Sequence, residues 1–311
     1  MQTVKPDYYD AFCCIADRCR HTCCVGWEID VDAAALARYE RQPGPLGDRL
    51  RQSIVWDECP HFRLTPEERC PFLNEQNLCE LILQQGPDAL CQICTDHPRF
   101  RNELTGRVEI GLGLCCEAAG ALILGRAAPV QLLVSGPAAP LTEWERLVLS
   151  VREQAIAIVQ DRALPLARRL DAMLEAWDVQ LPAYSWAQWA RVLLSLERLD
   201  SAWEVQLLAL CRAGEPAALP PHLQTPLEQL AVYLLYRHLP AARSEADLAA
   251  RLAFAALLTR LVARLCQLHP GGCTLPDVVE LARLCSSEIE YSEDNTEALL
   301  DLLWEANTGE P

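Results

Sequence analysis

A mainly α-helical protein, in which an irregular cysteine-rich N-terminal module precedes an α-helical bundle, is what this sequence predicts. Three observations predict it. Twelve of the sixteen cysteines fall within the first 116 residues. Beyond residue 120 the chain becomes rich in Leu and Ala, with apolar residues recurring at the spacing of one helix face. Helix start signals then follow one another towards the C-terminus, several pairing a hydroxyl with a Glu or Gln three residues later.

At 311 residues the chain is longer than one small core usually sustains. The change of composition suggests a cysteine-rich metal-binding module over 1–125 and a helical domain over 126–311. In the first part, short apolar runs are broken by cysteine, proline and acidic residues, and few segments hold a helical period. The stretch Ala127 to Thr142 is apolar and uncharged but holds Pro129, Gly136, Pro137 and Pro140, which suits a linker better than a bilayer helix. Helices are expected near 142–162, 165–178, 185–212, 225–239, 244–268, 275–289 and 293–307. Thr142 with Glu145, Ser185 with Gln188, and Thr225 with Glu228 read as capping boxes, Pro226 suiting a first helical position. Ser244, Thr274 and Ser292 are further caps. Trp144, Trp177, Trp186, Trp189, Trp203 and Trp304 are expected to pack between helices.

The formal charge is −16, and acidic residues outnumber basic ones on both sides of residue 120. Such a surface repels a phosphate backbone, which excludes nucleic acid as a partner and favours a basic or lysine-bearing protein. It also serves simply to keep the protein solvated. Lys5 is the sole lysine among 27 basic residues, a bias that base composition explains, although a lysine-directed enzyme sparing itself would look alike. The first ten residues carry no basic stretch followed by an apolar one, so a cytoplasmic location is expected, with thiols kept reduced. Reduced, clustered cysteines point to a soft metal rather than a disulfide framework.

The first cluster runs Cys13-Cys14, Cys19, Cys23-Cys24, followed by Gly26 and Trp27. Its close spacing lets a loop turn several sulfurs towards one centre. Adjacent cysteines in extended chain point to opposite sides, so one sulfur of each pair is open to packing or to a second site. The second group is Cys70-Pro71-Phe72-Leu73, Cys79, Cys91 with Cys94, and Cys115-Cys116. Thiolate sites of this kind suit Zn²⁺ and iron–sulfur clusters about equally.

Cys14, Cys19, Cys23-Cys24 with Gly26-Trp27, Cys70-Pro71-Phe72-Leu73, Asn77-Leu78-Cys79 and Cys94-Thr95-Asp96-His97-Pro98-Arg99 resemble the zinc- or iron-chelating region of the bacterial flagellin lysine-N-methylases. Tyr233 to His238 is similar to that family's aromatic-Arg-His stretch, and Ser287 to Asn295 to its acidic segment near the C-terminus. The resemblance implies metal ligands at Cys14, Cys19, Cys23, Cys24, Cys70, Cys79, Cys94 and Cys115. It implies a [4Fe–4S] cluster, with Zn²⁺ as the alternative, and S-adenosylmethionine as methyl donor to flagellin lysines. Cys13, Cys91 and Cys116 double the family's thiols, and His97 stands where a tyrosine is common.

The run Glu109-Ile110-Gly111-Leu112-Gly113 is the one candidate for a nucleotide-binding turn, and it stands outside any alternating β/α series. The Cys-x3-Cys-x2-Cys loop usual for radical cleavage of S-adenosylmethionine is absent from the sequence. A lysine attacks a methyl group only as the free amine, which calls for a base or for desolvation. His97, Glu117, Tyr236 and His238 are the candidates for that work. Arg99 and Arg237 are candidates to hold a cofactor carboxylate. A non-enzymatic electron-transfer or scaffold protein is the alternative function, and zinc sensing or storage a third.

Overall fold

The computed structural model describes residues 1–309, in which the chain is mainly α, 56% helical. It divides into two units, Cys13–Arg99 and a larger one that joins Met1–Phe12 to the chain from Phe100 onward. In chain order the strands are β1 (Gln2–Pro6), β2 (Ile29–Asp30), β3 (Ile54–Val55), β4 (His61–Phe62), β5 (Arg99–Leu104), β6 (Arg107–Leu112) and β7 (Leu132–Ser135).

The smaller unit is built around a short antiparallel sheet in the order β2-β4-β3. Four helices surround it among the described residues: α1 (Ala33–Arg41), α2 (Gly44–Ser53), α3 (Glu80–Gln85) and α4 (Gln92–Asp96). Asp32 organises two of them. Its carboxylate caps α1 by accepting from Ala34 and Ala35 N–H, and it also accepts from Gln92 N–H at 2.7 Å, where α4 begins. Burial works against that charge, yet these three donors hold the carboxyl below its ordinary range. Gly86 ends α3 at φ +85°, a left-handed position that favours glycine. The core holds Ile29, Val31, Tyr39, Leu50, Phe62, Phe72 and Leu81, with the thiols of Cys70 and Cys91 buried among them. Phe62 meets Phe72 edge-on, with ring centres 5.0 Å apart.

The larger unit carries a mixed sheet in the order β5-β6-β1-β7. β1 runs parallel to β6, Gln2 opposite Arg107, and antiparallel to β7, Thr3 opposite Ser135. Helices α5 (Glu117–Leu124), α6 (Glu143–Val159), α7 (Leu166–Ala176), α8 (Trp186–Ser195), α9 (Ser201–Cys211), α10 (Pro221–His238), α11 (Glu245–Leu268), α12 (Leu275–Cys285) and α13 (Glu293–Thr308) complete it. A five-residue π-helical segment, Ser286–Glu290, extends α12. α10 and α11 are buried along most of their length and form the centre of the apolar core.

Several local expectations are met. Thr142 and Ser185 form complete capping boxes with Glu145 and Gln188, Thr274 does so with Asp277, and Ser244 and Ser292 accept from the third helical N–H. Others need correction. The helix expected over 185–212 is two helices, because the break between α8 and α9 has its backbone satisfied from elsewhere. Glu288 accepts from Leu199 N–H (3.0 Å) and Asp200 N–H (2.7 Å), and Asn295 accepts from Glu197 N–H (3.1 Å). α10 starts at Pro221 rather than Thr225, which leaves Pro226 inside it. Glu228 does not cap there; Arg162 and the buried Arg169 draw its carboxylate inward at 2.8 and 2.6 Å. The stretch expected as a linker contributes β7 to the sheet. The compositional change near residue 120 falls inside the larger unit.

Candidate functional site

The first cysteine cluster lies on an exposed loop of the smaller unit. Cys13, Cys14 and Cys23 are exposed, and Cys19 and Cys24 half-buried. A single 3₁₀ turn, Ala16–Arg18, shapes the loop, with Ala16 held at φ +50° and its N–H donating to Cys14 Sγ at 3.4 Å. Cys19 Sγ donates to His21 C=O at 3.3 Å. The loop ends where Trp27 Nε1 donates to Cys23 C=O at 2.6 Å, with Gly26 turning the chain at φ +84°.

The second group gathers around the core of the same unit. Cys70 N–H donates to Cys24 C=O at 2.8 Å, Val25 bridges Arg69, and Leu73 bridges Cys79, so three cysteine-bearing segments lie side by side. Cys24, Cys79 and Cys94 pack half-buried against the core that contains Cys70 and Cys91. The thiols of Cys24, Cys70, Cys79, Cys91 and Cys94 feel one another electrostatically. A hydrogen bond from Cys23, with help from Thr22 and Arg69, lowers Cys24 to about 7 against the opposing effect of burial. Burial pushes Cys70 up to about 12. A hydrogen bond between Cys91 and Cys94 lowers the former and raises the latter. No disulfide joins any cysteines among the described residues. Nor, among the described residues, do three or more His, Cys, Asp or Glu side chains converge as the ligands of one ion do.

Seven of the eight cysteines implied as ligands therefore share the smaller unit, and Cys115 belongs to the larger one. Burial pushes Cys115 up to about 12, while a hydrogen bond from Tyr291 acts in the opposite sense. His97, in the smaller unit, is lowered to about 4 by burial and by Arg99. Its ring stands 6.1 Å from that of Trp27. Arg99 donates to Thr95 C=O at 3.1 Å.

Tyr236, Arg237 and His238 follow one another at the end of α10. Tyr236 donates its hydroxyl to the carbonyls of Val4 and Ile110, both at 3.1 Å, and so clamps β1 to β6. His238 Nε2 lies 2.7 Å from Glu290 Oε1, in the π-helical segment. Arg237 stacks its guanidinium on Phe100 and Tyr291, 5.1 and 4.7 Å from the ring centres, with Nε 3.5 Å from Glu290. Burial resists the charge on Glu290, but Arg237 and His238 overcome it and hold the carboxyl below its usual range. Glu117 opens α5. The candidate nucleotide turn, Glu109 to Gly113, is not a turn. Its first four residues lie in β6, and a Cβ on Gly111 would collide with the Phe100 ring, so this glycine serves close packing. Glu109 is buried against Arg107 and Arg152.

Over 130 residues the chain is 26% identical to the lysine-N-methylase of Salmonella typhimurium strain LT2, a match covering 39% of this chain and 32% of that protein. The lysine-N-methylase of Salmonella choleraesuis strain SC-B67 matches with the same identity and coverage. The flagellar biosynthetic protein FliU of Salmonella muenchen is 25% identical over 130 residues, which are 39% of this chain and 75% of that protein. The match spans about a third of the length of the two lysine-N-methylases. No family model matches the chain, and no solved structure does.

Two features escape sequence reading. Cys91 looks like a redundant thiol in the sequence, yet it is buried, 1% exposed, beside Tyr39. Glu28 and His61 are far apart in the sequence and pair at 2.9 Å because β2 and β4 are neighbours. The alternation around His61-Phe62 is too short to signal a strand, so only the pairing reveals them.

Proposed function

We propose that this chain transfers methyl groups from S-adenosylmethionine to lysine side chains of flagellin, with a thiolate-held metal centre in its smaller unit. The similarity to two lysine-N-methylases and to a flagellar biosynthetic protein carries this reading. The donor set of the smaller unit suits a soft metal in its chemistry: clustered thiols, one of them lowered to about 7 and so ready to ionise. A [4Fe–4S] cluster or Zn²⁺ takes four ligands, and these would be drawn from Cys14, Cys19, Cys23, Cys24, Cys70, Cys79 and Cys94. Cys115, the eighth thiol the resemblance implies, belongs to the larger unit. Iron–sulfur would supply electrons there, and zinc charge.

Methyl transfer breaks the sulfonium S–CH₃ bond, forms an Nζ–CH₃ bond and leaves S-adenosylhomocysteine, while one proton departs from the lysine. The acidic surface attracts lysine but also favours its charged form, so a local base or a dry environment has to free the amine. His97 is neutral at physiological pH and accepts protons only weakly. His238 is tied to Glu290. In the test, metal-replete protein is incubated with flagellin and labelled S-adenosylmethionine under anaerobic, reducing conditions. Label is expected on flagellin lysines, and is lost in Cys19→Ser or Cys23→Ser protein that still folds. Unlabelled flagellin, with metal content and folding verified, would leave an electron-transfer or scaffold role. Brown protein carrying iron identifies the cluster, and colourless protein with stoichiometric zinc overturns it.

A further inference from the structure

The smaller unit carries a cleft of about 250 Å³ between the Gly26 turn and the edge of the β2-β4-β3 sheet. Trp27, Val55 and Leu64 give it apolar walls, and Glu28, Glu68 and His61 give it polar ones. This volume is below the usual range for a drug-sized ligand and suits one long side chain. The indole N–H of Trp27 is spent on Cys23 C=O at 2.6 Å. The ring is therefore fixed, and what it offers the cleft is its apolar and π surface. At Gly26 an added Cβ would meet nothing within 4 Å, so the rim is open there.

The charge in the cleft selects the ligand. Glu28 is 59% exposed and bears on His61 Nδ1 at 2.9 Å, and Asp57 approaches the same nitrogen at 3.3 Å. In the lining Glu28 and Glu68 outnumber the one arginine, Arg63, and Asp57 lies beside His61 from outside it, so an anion is disfavoured and a cation is welcome. A lysine side chain matches both features. Its four methylenes cover apolar wall, and its ammonium reaches a carboxylate and an aromatic ring, the two partners such a cation takes.

We infer that this cleft receives the side chain of the substrate lysine, with Trp27 as its wall and Glu28 and Glu68 as its ammonium partners. The assignment of the ligand as a substrate rests on the lysine-methylation reading; the preference for lysine rests on the cleft. Trp27 also belongs to the thiol-bearing loop, which joins the lysine subsite to the proposed metal centre through one residue.

The test uses Nα-acetyl-lysine methylamide as probe, titrated into the full chain and followed by saturation-transfer NMR without S-adenosylmethionine. Saturable binding is expected, weakened roughly tenfold in Glu28→Gln and in Trp27→Ala, one charge-assisted contact being worth about that much. The Nε-acetylated probe and the norleucine analogue should bind at least roughly tenfold more weakly. Equal binding of the neutral probes, no binding of lysine, or unchanged affinity in the variants overturns the assignment. If Trp27→Ala fails to fold, Glu28→Gln and Glu68→Gln carry the test, since both alter exposed side chains. Failure of the two readings can be told apart. Lysine bound in the cleft with no methyl reaching flagellin defeats the activity alone, whereas methylation with an unchanged KM for flagellin in Glu28→Gln defeats the cleft alone.

Discussion

The phenol oxygen of Tyr39 lies 2.7 Å from Ala89 C=O, to which it donates, and 3.3 Å from the sulfur of Cys91. One hydroxyl thus ties α1 both to the turn before α4 and to a core thiol. Tyr39→Phe keeps the ring beside Phe62 but leaves a buried carbonyl unpaired. The expected cost is about 1–2 kcal/mol, read from denaturant unfolding followed by a probe in the smaller unit. A change within error would place that carbonyl in contact with water.

Thiol reactivity should follow burial and ionisation rather than position in the sequence. In folded protein kept free of metal at neutral pH, Cys24, held at about 7, is expected to alkylate at least about tenfold faster than Cys70, held at about 12. Peptide mass spectrometry after a timed iodoacetamide pulse measures this. Equal rates would show that the smaller unit opens faster than the reagent attacks.

His97 gives the smaller unit a pH dependence of known sign. Its folded value, about 4, lies below its ordinary 6.5, so between these the unfolded chain binds more protons than the folded one. Its contribution is complete above pH 6.5 and is lost as pH falls towards 4. Unfolding midpoints of wild-type and His97→Gln protein should therefore converge as pH is lowered through this window. Parallel profiles would show that His97 titrates normally.

Glu228 balances Arg162 and Arg169, and Arg169 is itself buried. Glu228→Gln leaves that guanidinium without its counter-charge, and a loss of about 3–5 kcal/mol is expected for breaking a buried pair from one side. Thermal unfolding of the larger unit measures it. Replacing Glu228 and Arg169 together by Gln and Met should recover part of the loss, which a mere change of size would not.

What the sequence made legible was local. Thr142, Ser185 and Thr274 cap helices with groups three residues away, so the signal and the contact are the same short stretch. The break after α8 was invisible because its backbone donors are met by Glu288 and Asn295, roughly ninety residues on. The Thr225-Glu228 pattern misled for the same reason, since a distant pair of arginines outcompetes the cap. In the cysteine region, spacing marked the loop from Cys13 to Cys24. It could not separate the exposed thiols from the buried Cys70 and Cys91, because burial is decided by Phe62, Phe72 and Tyr39 from other segments.

The place of β1 bears on how the chain is made. Gln2–Pro6 pairs with β6 and β7, residues that follow it by more than a hundred positions. During synthesis the strand leaves the ribosome before β6 and β7, and the entire thiol-bearing segment must follow before they can pair with it. That long closure is slow, while the contacts inside Cys13–Arg99 are shorter in range and form sooner. Any metal captured by those thiols would enter a segment already gathered but still tethered to an unfinished sheet. If the proposed metal centre forms there, starvation for metal would delay the smaller unit at the very stage when this strand stands exposed to pairing with a neighbouring chain.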